Sequence, residues 1–119
     1  MNVPKDNVWS ATLRELSTLE PGWNEVHPNA AAVSVIALNR ADEVLRWCKG
    51  FHTPMPTVQP LPDGGVALRW WDDEEEISIE VNPVGKVSLF QLSISTLETE
   101  QYDSLDDMVM VREFISRVI

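Results

Sequence analysis

The chain has 119 residues, 44% of them hydrophobic, and 19 acidic against 9 basic side chains give it a formal net charge of −10. That length fits one domain, residues 1–119, with a real core, and the hydrophobic share excludes a disordered acidic tail. The charge argues against nucleic-acid backbones and anionic membranes as ligands, because binding to either rests on Lys and Arg, and it favours a basic protein partner.

Cys48 is the only cysteine, so an intramolecular disulfide and a thiolate metal cluster are both excluded. The stretch MNVPKDNVWSATLREL has no apolar signal-peptide core behind a basic start, and the most apolar run, residues 30–38, is too short to span a bilayer. A reducing, cytoplasmic setting is expected.

The spacing of Trp9, Leu13 and Leu16 predicts a helix from about Val8 to Leu19, ended by Pro21-Gly22. Asn29 is the expected N-cap of a second helix, with Val33, Ala37, Ala41, Val44, Leu45 and Cys48 as its apolar stripe and Gly50 at its exit. Arg40, Glu43 and Arg46 of that helix are expected to face water. Prolines at 54, 56, 60 and 62 then point to an extended connection or an edge strand, with a polyproline ligand as the alternative.

From Val66 the period changes to two: Val66, Leu68 and Trp70 alternate with Ala67, Arg69 and Trp71, and Ile77, Ile79 and Val81 with Glu76, Ser78 and Glu80. These runs form a hairpin with Asp72 to Glu75 at its tip. Asn82-Pro83-Val84-Gly85 is a second turn before a third strand, Lys86 to about Ile94, in which adjacent Leu89 and Phe90 leave room for a bulge. Ser104 is the expected cap of a last helix with Leu105, Met108, Val111, Ile115 and Val118 on one face. The expected fold is α+β, in the order α-α-β-β-β-α: a three-stranded antiparallel meander, with room for a fourth strand, and helices packed on one face.

The acids of DDEEEISIEV run straight into a strand without the glycine that a calcium loop needs, so no metal site is expected. No catalytic residue and no cofactor is expected either. His27 and His52 sit beside loop prolines, Cys48 lies on an apolar stripe, and PDGGV lacks the lysine of a phosphate loop. Asp63-Gly64-Gly65 reads as a turn that supplies positive φ before the strand.

The informative feature is the pair of indoles. Strand neighbours point to opposite faces, so with Trp70 in the core Trp71 emerges on the other face, unless the proline-rich segment or the last helix covers it. An exposed indole among carboxylates suits a protein-binding surface. Its expected residues are Trp71, Asp72, Asp73, Glu74, Glu75, Glu76 and Glu80. A second acidic stretch, LETEQYDSLDD, joins them if the two regions meet.

Two segments, LSTLEPGWNEVHPNAAAVSVIA and PTVQPLPDGGVALRWWDDEEEISIEV, resemble a family of small uncharacterised bacterial and phage proteins. Its marks are a Gly-Trp-Asp loop and a Pro-x-Val-x-Pro element, followed by Asp-Gly-Gly-Val and a strand ending in Trp. Asn24 stands where the family usually has aspartate, and Glu25-Val26-His27 replaces a small glycine- and tyrosine-rich stretch. The resemblance implies the fold and a bacterial, phage or mobile-element origin, and no activity.

The expected function is that of a non-enzymatic acidic binding protein that docks on a basic partner. The concrete version is an inhibitor of a nucleic-acid-binding protein, of the anti-CRISPR, antitoxin or other anti-defence type. A homodimer formed through the tryptophan-bearing sheet face and a small enzyme with a dispersed carboxylate and histidine site are the alternatives.

Overall fold

A computed structural model of the chain describes the backbone of residues 6–119 and the side chains of residue 9 and residues 11–119. Residues 1–5, part of the stretch read as lacking a leader, lie outside the described residues. The elements are α1 (Asp6–Ser17), α2 (Val35–Gly50), β1 (Thr57–Pro60), β2 (Val66–Trp71), β3 (Glu75–Val81), β4 (Val87–Ser93), β5 (Thr99–Leu105) and α3 (Met108–Val118). The strands form one antiparallel sheet in the order β1-β2-β3-β4-β5. The class is α+β, but the sheet has five strands rather than three or four, and the order is α-α-β-β-β-β-β-α.

Both additional strands are edges. β1 carries Pro60, which an edge strand tolerates because one side of its backbone needs no partner. β5, Thr-Glu-Gln-Tyr-Asp-Ser-Leu, lies in the acidic stretch and is polar at most positions, as an edge open to water on one face allows. A register shift between Val87 and Leu89 marks its pairing with β4. The irregularity near Leu89 therefore belongs to the β4–β5 pairing, while β3 and β4 pair in unbroken register.

Two helix starts also differ from expectation. Residues 30–34 are not helical, and α2 begins after Ser34, itself extended, whose hydroxyl accepts from the amides of Ile36 and Ala37 at 3.1 and 3.3 Å. Hydrogen bonds across the fold decide this start: Ala31 N donates to Pro62 O and Ser34 N to Gly64 O, which holds the segment against the β1–β2 turn. The Ser34 hydroxyl also donates to Pro83 O in the β3–β4 turn. Ser34→Ala removes both roles and is expected to lower stability by about 1–2 kcal/mol in urea unfolding. The last helix is capped by Asp107, which accepts from Val109 N at 2.9 Å. Ser104 lies instead inside β5, with its amide on the Ser88 hydroxyl.

All three helices pack on one face of the sheet. Leu45 and Val44 of α2 and Phe114 and Ile115 of α3 bury themselves against Val66, Leu68, Ile79, Val81, Val87 and Leu89. Trp9, Leu13 and Leu16 of α1 close the same core. The stripe read along the second helix, Val33 to Cys48, is buried throughout. No helix among the described residues is long and apolar enough to cross a membrane.

The register fixes what stands on the other face. Trp71, Glu76, Leu92 and Thr99 lie in one row across the four strands β2 to β5, and Arg69, Ser78, Phe90 and Gln101 in the next. Every one of these side chains is exposed or half-buried. Among the described residues no helix packs on this face, as is common for antiparallel sheets.

Candidate functional site

The two ends of the sheet differ in chemistry. At one end the β1–β2 and β3–β4 turns hold the start of α2. Here Gly64 has φ +96°, the positive value expected of the Asp-Gly-Gly turn, and Asp63 Oδ1 accepts from Gly65 N at 2.8 Å. That motif is a structural joint. The β2–β3 and β4–β5 turns occupy the opposite end, where α2 delivers the chain to β1 and Ile119 follows α3. The C-terminal, carbonyl-bearing ends of α2 and α3 therefore add negative potential where the acidic turn lies.

The β2–β3 turn is tight. Asp72 N donates to Glu75 O, and Asp72 Oδ1 accepts from Glu74 N at 2.8 Å and from Glu75 N at 2.9 Å. Those two amides, Glu75's above all, hold the Asp72 carboxyl below the ordinary aspartate value. The turn itself is Asp72 to Glu74, so Glu75 belongs to a strand and not to the tip.

The pleat then divides the acids. Glu76 pairs directly with Trp71 on the open face, while Glu75 points to the helix-bearing side and accepts from Gln91 Nε2 at 2.9 Å. Glu80 is opposite Ala67, four rungs from Trp71, with its carboxylate 3.7 Å from Arg69. The structure thus brings together Trp71, Asp72, Asp73, Glu74 and Glu76, turns Glu75 away and sets Glu80 apart in an ion pair.

The indoles straddle the sheet. Trp70 is 9% exposed and donates from Nε1 to Pro54 O at 2.7 Å, whereas Trp71 is 63% exposed. Neither the proline-rich segment nor α3 covers Trp71.

The neighbouring turn completes this end. Ile94 N donates to Glu74 O, and Ser93 N to Glu98 O, which puts Glu98 and exposed Ile94 and Leu97 beside the tip. Leu92 is two strand spacings from Trp71, about 10 Å, on the same face. Glu98 and Leu97 begin the second acidic stretch, expected to join the site only if the two regions meet, whereas Leu92 and Ile94 are not among the expected site residues. The β3–β4 pairing places Leu92 and Ile94, and the β4–β5 turn places Leu97 and Glu98, ahead of a strand whose polar alternation gives almost no signal.

The second acidic stretch joins the tip only at its start. β5 runs away from the tip, so Asp106 and Asp107 follow it at the far end of the sheet. Glu100 is bound from α3, with Arg117 Nη2 at 2.7 Å and Nη1 at 3.1 Å from its two oxygens. Arg117, then the Tyr102 hydroxyl, hold Glu100 below its ordinary value of 4.5. A carboxylate with a lowered folded pKa stabilises the fold above its unfolded pKa, and this contribution fades as pH falls through the folded value. Glu100→Gln is therefore expected to lower stability slightly at neutral pH and to flatten the decline below the ordinary glutamate range, read by urea unfolding across pH. The pair is partly exposed, so the effect is small.

Two depressions lie near the candidate site, and Trp71 lines the first. One of about 300 Å³ is bounded by Met55, Trp71, Asp72, Glu75, Ile77 and Ile119, among others. The other, about 280 Å³ on the open face, includes Arg69, Glu76, Ser78, Glu80, Phe90 and Asp103. His27 and His52 are exposed and line neither. Burial pushes the Cys48 thiol up, as its place on the α2 stripe implies. Among the described residues, no group of three or more His, Cys, Asp or Glu is placed to hold a metal ion.

Comparison with family models, with curated proteins and with solved structures finds no match to the chain.

Proposed function

We propose that this chain is a non-enzymatic, acidic binding protein of bacterial or phage origin that docks on a basic protein inside the cell. One observation carries the reading: Trp71, 63% exposed, stands at the end of the sheet where Asp72, Asp73, Glu74, Glu76 and Glu98 gather. A basic surface meeting this end pairs its lysines and arginines with carboxylates while the indole supplies desolvated contact area. Where those lysines and arginines normally hold phosphates, docking blocks nucleic-acid binding, as an anti-CRISPR protein, an antitoxin or another anti-defence inhibitor does.

The test compares partners captured from a bacterial host by the wild type and by a Trp71→Ala, Asp73→Lys, Glu74→Lys variant, followed by affinity measurement with the purified partner. A basic protein lost by the variant, with an affinity that falls steeply as salt rises, supports the reading. Equal recovery of every partner by both baits removes the tip from consideration.

A specific observation also favours homodimerisation: the bare face carries Trp71, Phe90 and Leu92 in adjacent rows. Two such faces would bring Glu76, Glu80 and Asp103 of both copies together, so self-association would tighten with salt. Docking on a basic partner weakens with salt. Light scattering at low and high salt separates the two.

A further inference from the structure

We infer that the cavity beside Trp71 receives one arginine side chain of the basic partner, an assignment that rests on the docking reading above. The cavity exists because β1 is shorter than its neighbour. β1 pairs with β2 only as far as Thr57 opposite Arg69, so Trp70 and Trp71, paired with β3 on one side, continue with no strand on the other. The chain before β1 passes through Pro54-Met55-Pro56 and is fixed by the bond from Trp70 Nε1 to Pro54 O. Between this segment and the end of the hairpin lies a space of about 300 Å³. A helix about 10 Å across would not enter it, whereas a single long side chain fits.

The wall chemistry selects the side chain. Met55, Trp71, Ile77 and Ile119 are apolar, and two acidic residues border the same space: Asp72, and Glu75, which reaches it from the helix-bearing side and accepts from Gln91 Nε2 at 2.9 Å. Asp72 Oδ1 takes both turn amides, and Oδ2 takes neither. Arg69 also borders the space, but Glu80 lies 3.7 Å from its guanidinium, and the two bordering acidic residues outnumber it. An apolar pocket with excess negative charge excludes an anion and gives a neutral side chain no use for the carboxylates. A guanidinium answers both features: its weakly hydrated flat faces stack on an indole, while its edge donates in-plane hydrogen bonds to a carboxylate. Lysine meets only the second, because its ammonium is a strongly hydrated point charge.

The test titrates isotope-labelled protein with capped pentapeptides, Gly-Gly-X-Gly-Gly, in which X is arginine, lysine, citrulline or leucine, and follows the indole N–H resonances of Trp70 and Trp71. The arginine peptide is expected to shift the Trp71 resonance saturably, more tightly than the lysine peptide. Citrulline keeps the shape and removes the charge, so its binding is expected to be weaker by about tenfold or more. Asp72→Asn keeps a side-chain oxygen for the turn amides and removes only the charge. It should weaken the arginine peptide by about tenfold, as should Trp71→Ala. Equal binding of citrulline and arginine, tighter binding of leucine, or no saturable shift at Trp71 overturns the assignment.

The two readings fail separately. Asp73 and Glu74 lie outside the cavity lining. A basic partner whose docking survives Trp71→Ala and Asp72→Asn but not Asp73→Lys with Glu74→Lys overturns the arginine pocket and leaves the docking reading in place. Arginine-peptide binding at Trp71, with no basic partner sensitive to any of these changes, does the reverse.

Discussion

Trp70→Ala is expected to cost about 3–5 kcal/mol of folding stability, while the same change one residue along, at Trp71, costs less than about 1 kcal/mol. Trp70 is 9% exposed, packs in the core and donates its indole N–H to Pro54 O at 2.7 Å. Truncation leaves a cavity between the end of β2 and the chain before β1, and it leaves that carbonyl without its donor. Trp71, at 63% exposure and opposite Glu76 on the open face, has far less burial to lose. Urea unfolding of both variants reads the difference directly. Comparable losses at the two positions would mean that Trp71 is covered, and the docking surface would lose its anchor.

Gly65→Ala should cost about 3 kcal/mol or more, although it adds a single methyl group. A Cβ at Gly65 would lie 2.3 Å from Val81 O, a backbone atom on the partner strand, and 3.0 Å from Asp63 Oδ1. Neither the carbonyl of a central strand nor a carboxylate holding the Gly65 amide can swing aside as the tip of a flexible side chain would. The β1–β2 turn must therefore part from β3, and the bonds that hold the start of α2, Ala31 to Pro62 O and Ser34 to Gly64 O, are strained with it. Thermal unfolding checks the magnitude. A variant as stable as the wild type would contradict the close approach of Gly65 to Val81.

Some of this molecule is legible in its sequence because burial imposes a period. Trp9, Leu13 and Leu16, the stripe from Val33 to Cys48, and the alternation from Val66 to Val81 each place their residues on the core side, where they are buried. The same alternation placed Trp70 inside and Trp71 outside. β5 escaped because an edge strand open to water on one face needs few apolar residues, and Tyr102 and Leu105 are too few to show a period. β1 shows in the sequence only as an extended connection or an edge, because the prolines at 54, 56, 60 and 62 argue equally for either.

The caps were misplaced for a different reason. Asn29 and Ser34, like Ser104 and Asp107, all have side chains able to cap a helix. Backbone bonds to the β1–β2 turn hold residues 31–34 out of the helix, and pairing with β4 keeps Ser104 in a strand. Such partners lie far along the chain and leave no local trace. The candidate site divides in the same way. The pleat put Trp71 on the face opposite Trp70, but whether anything covered it there was open, and the separation of Glu75 from Glu76 needed the exact limits of the turn. The nearness of Glu98, Leu97, Met55 and Ile119 needed the strand order of the whole sheet.

The central claim is that carboxylates at the Trp71 end of the sheet hold a basic protein, and the salt dependence of that complex tests it most directly. With a purified partner captured by the wild type, affinity measured between low and high salt should fall steeply, and Asp73→Lys with Glu74→Lys should both weaken binding and flatten the dependence. An affinity indifferent to salt, or a dependence unchanged by reversing those two charges, would contradict it.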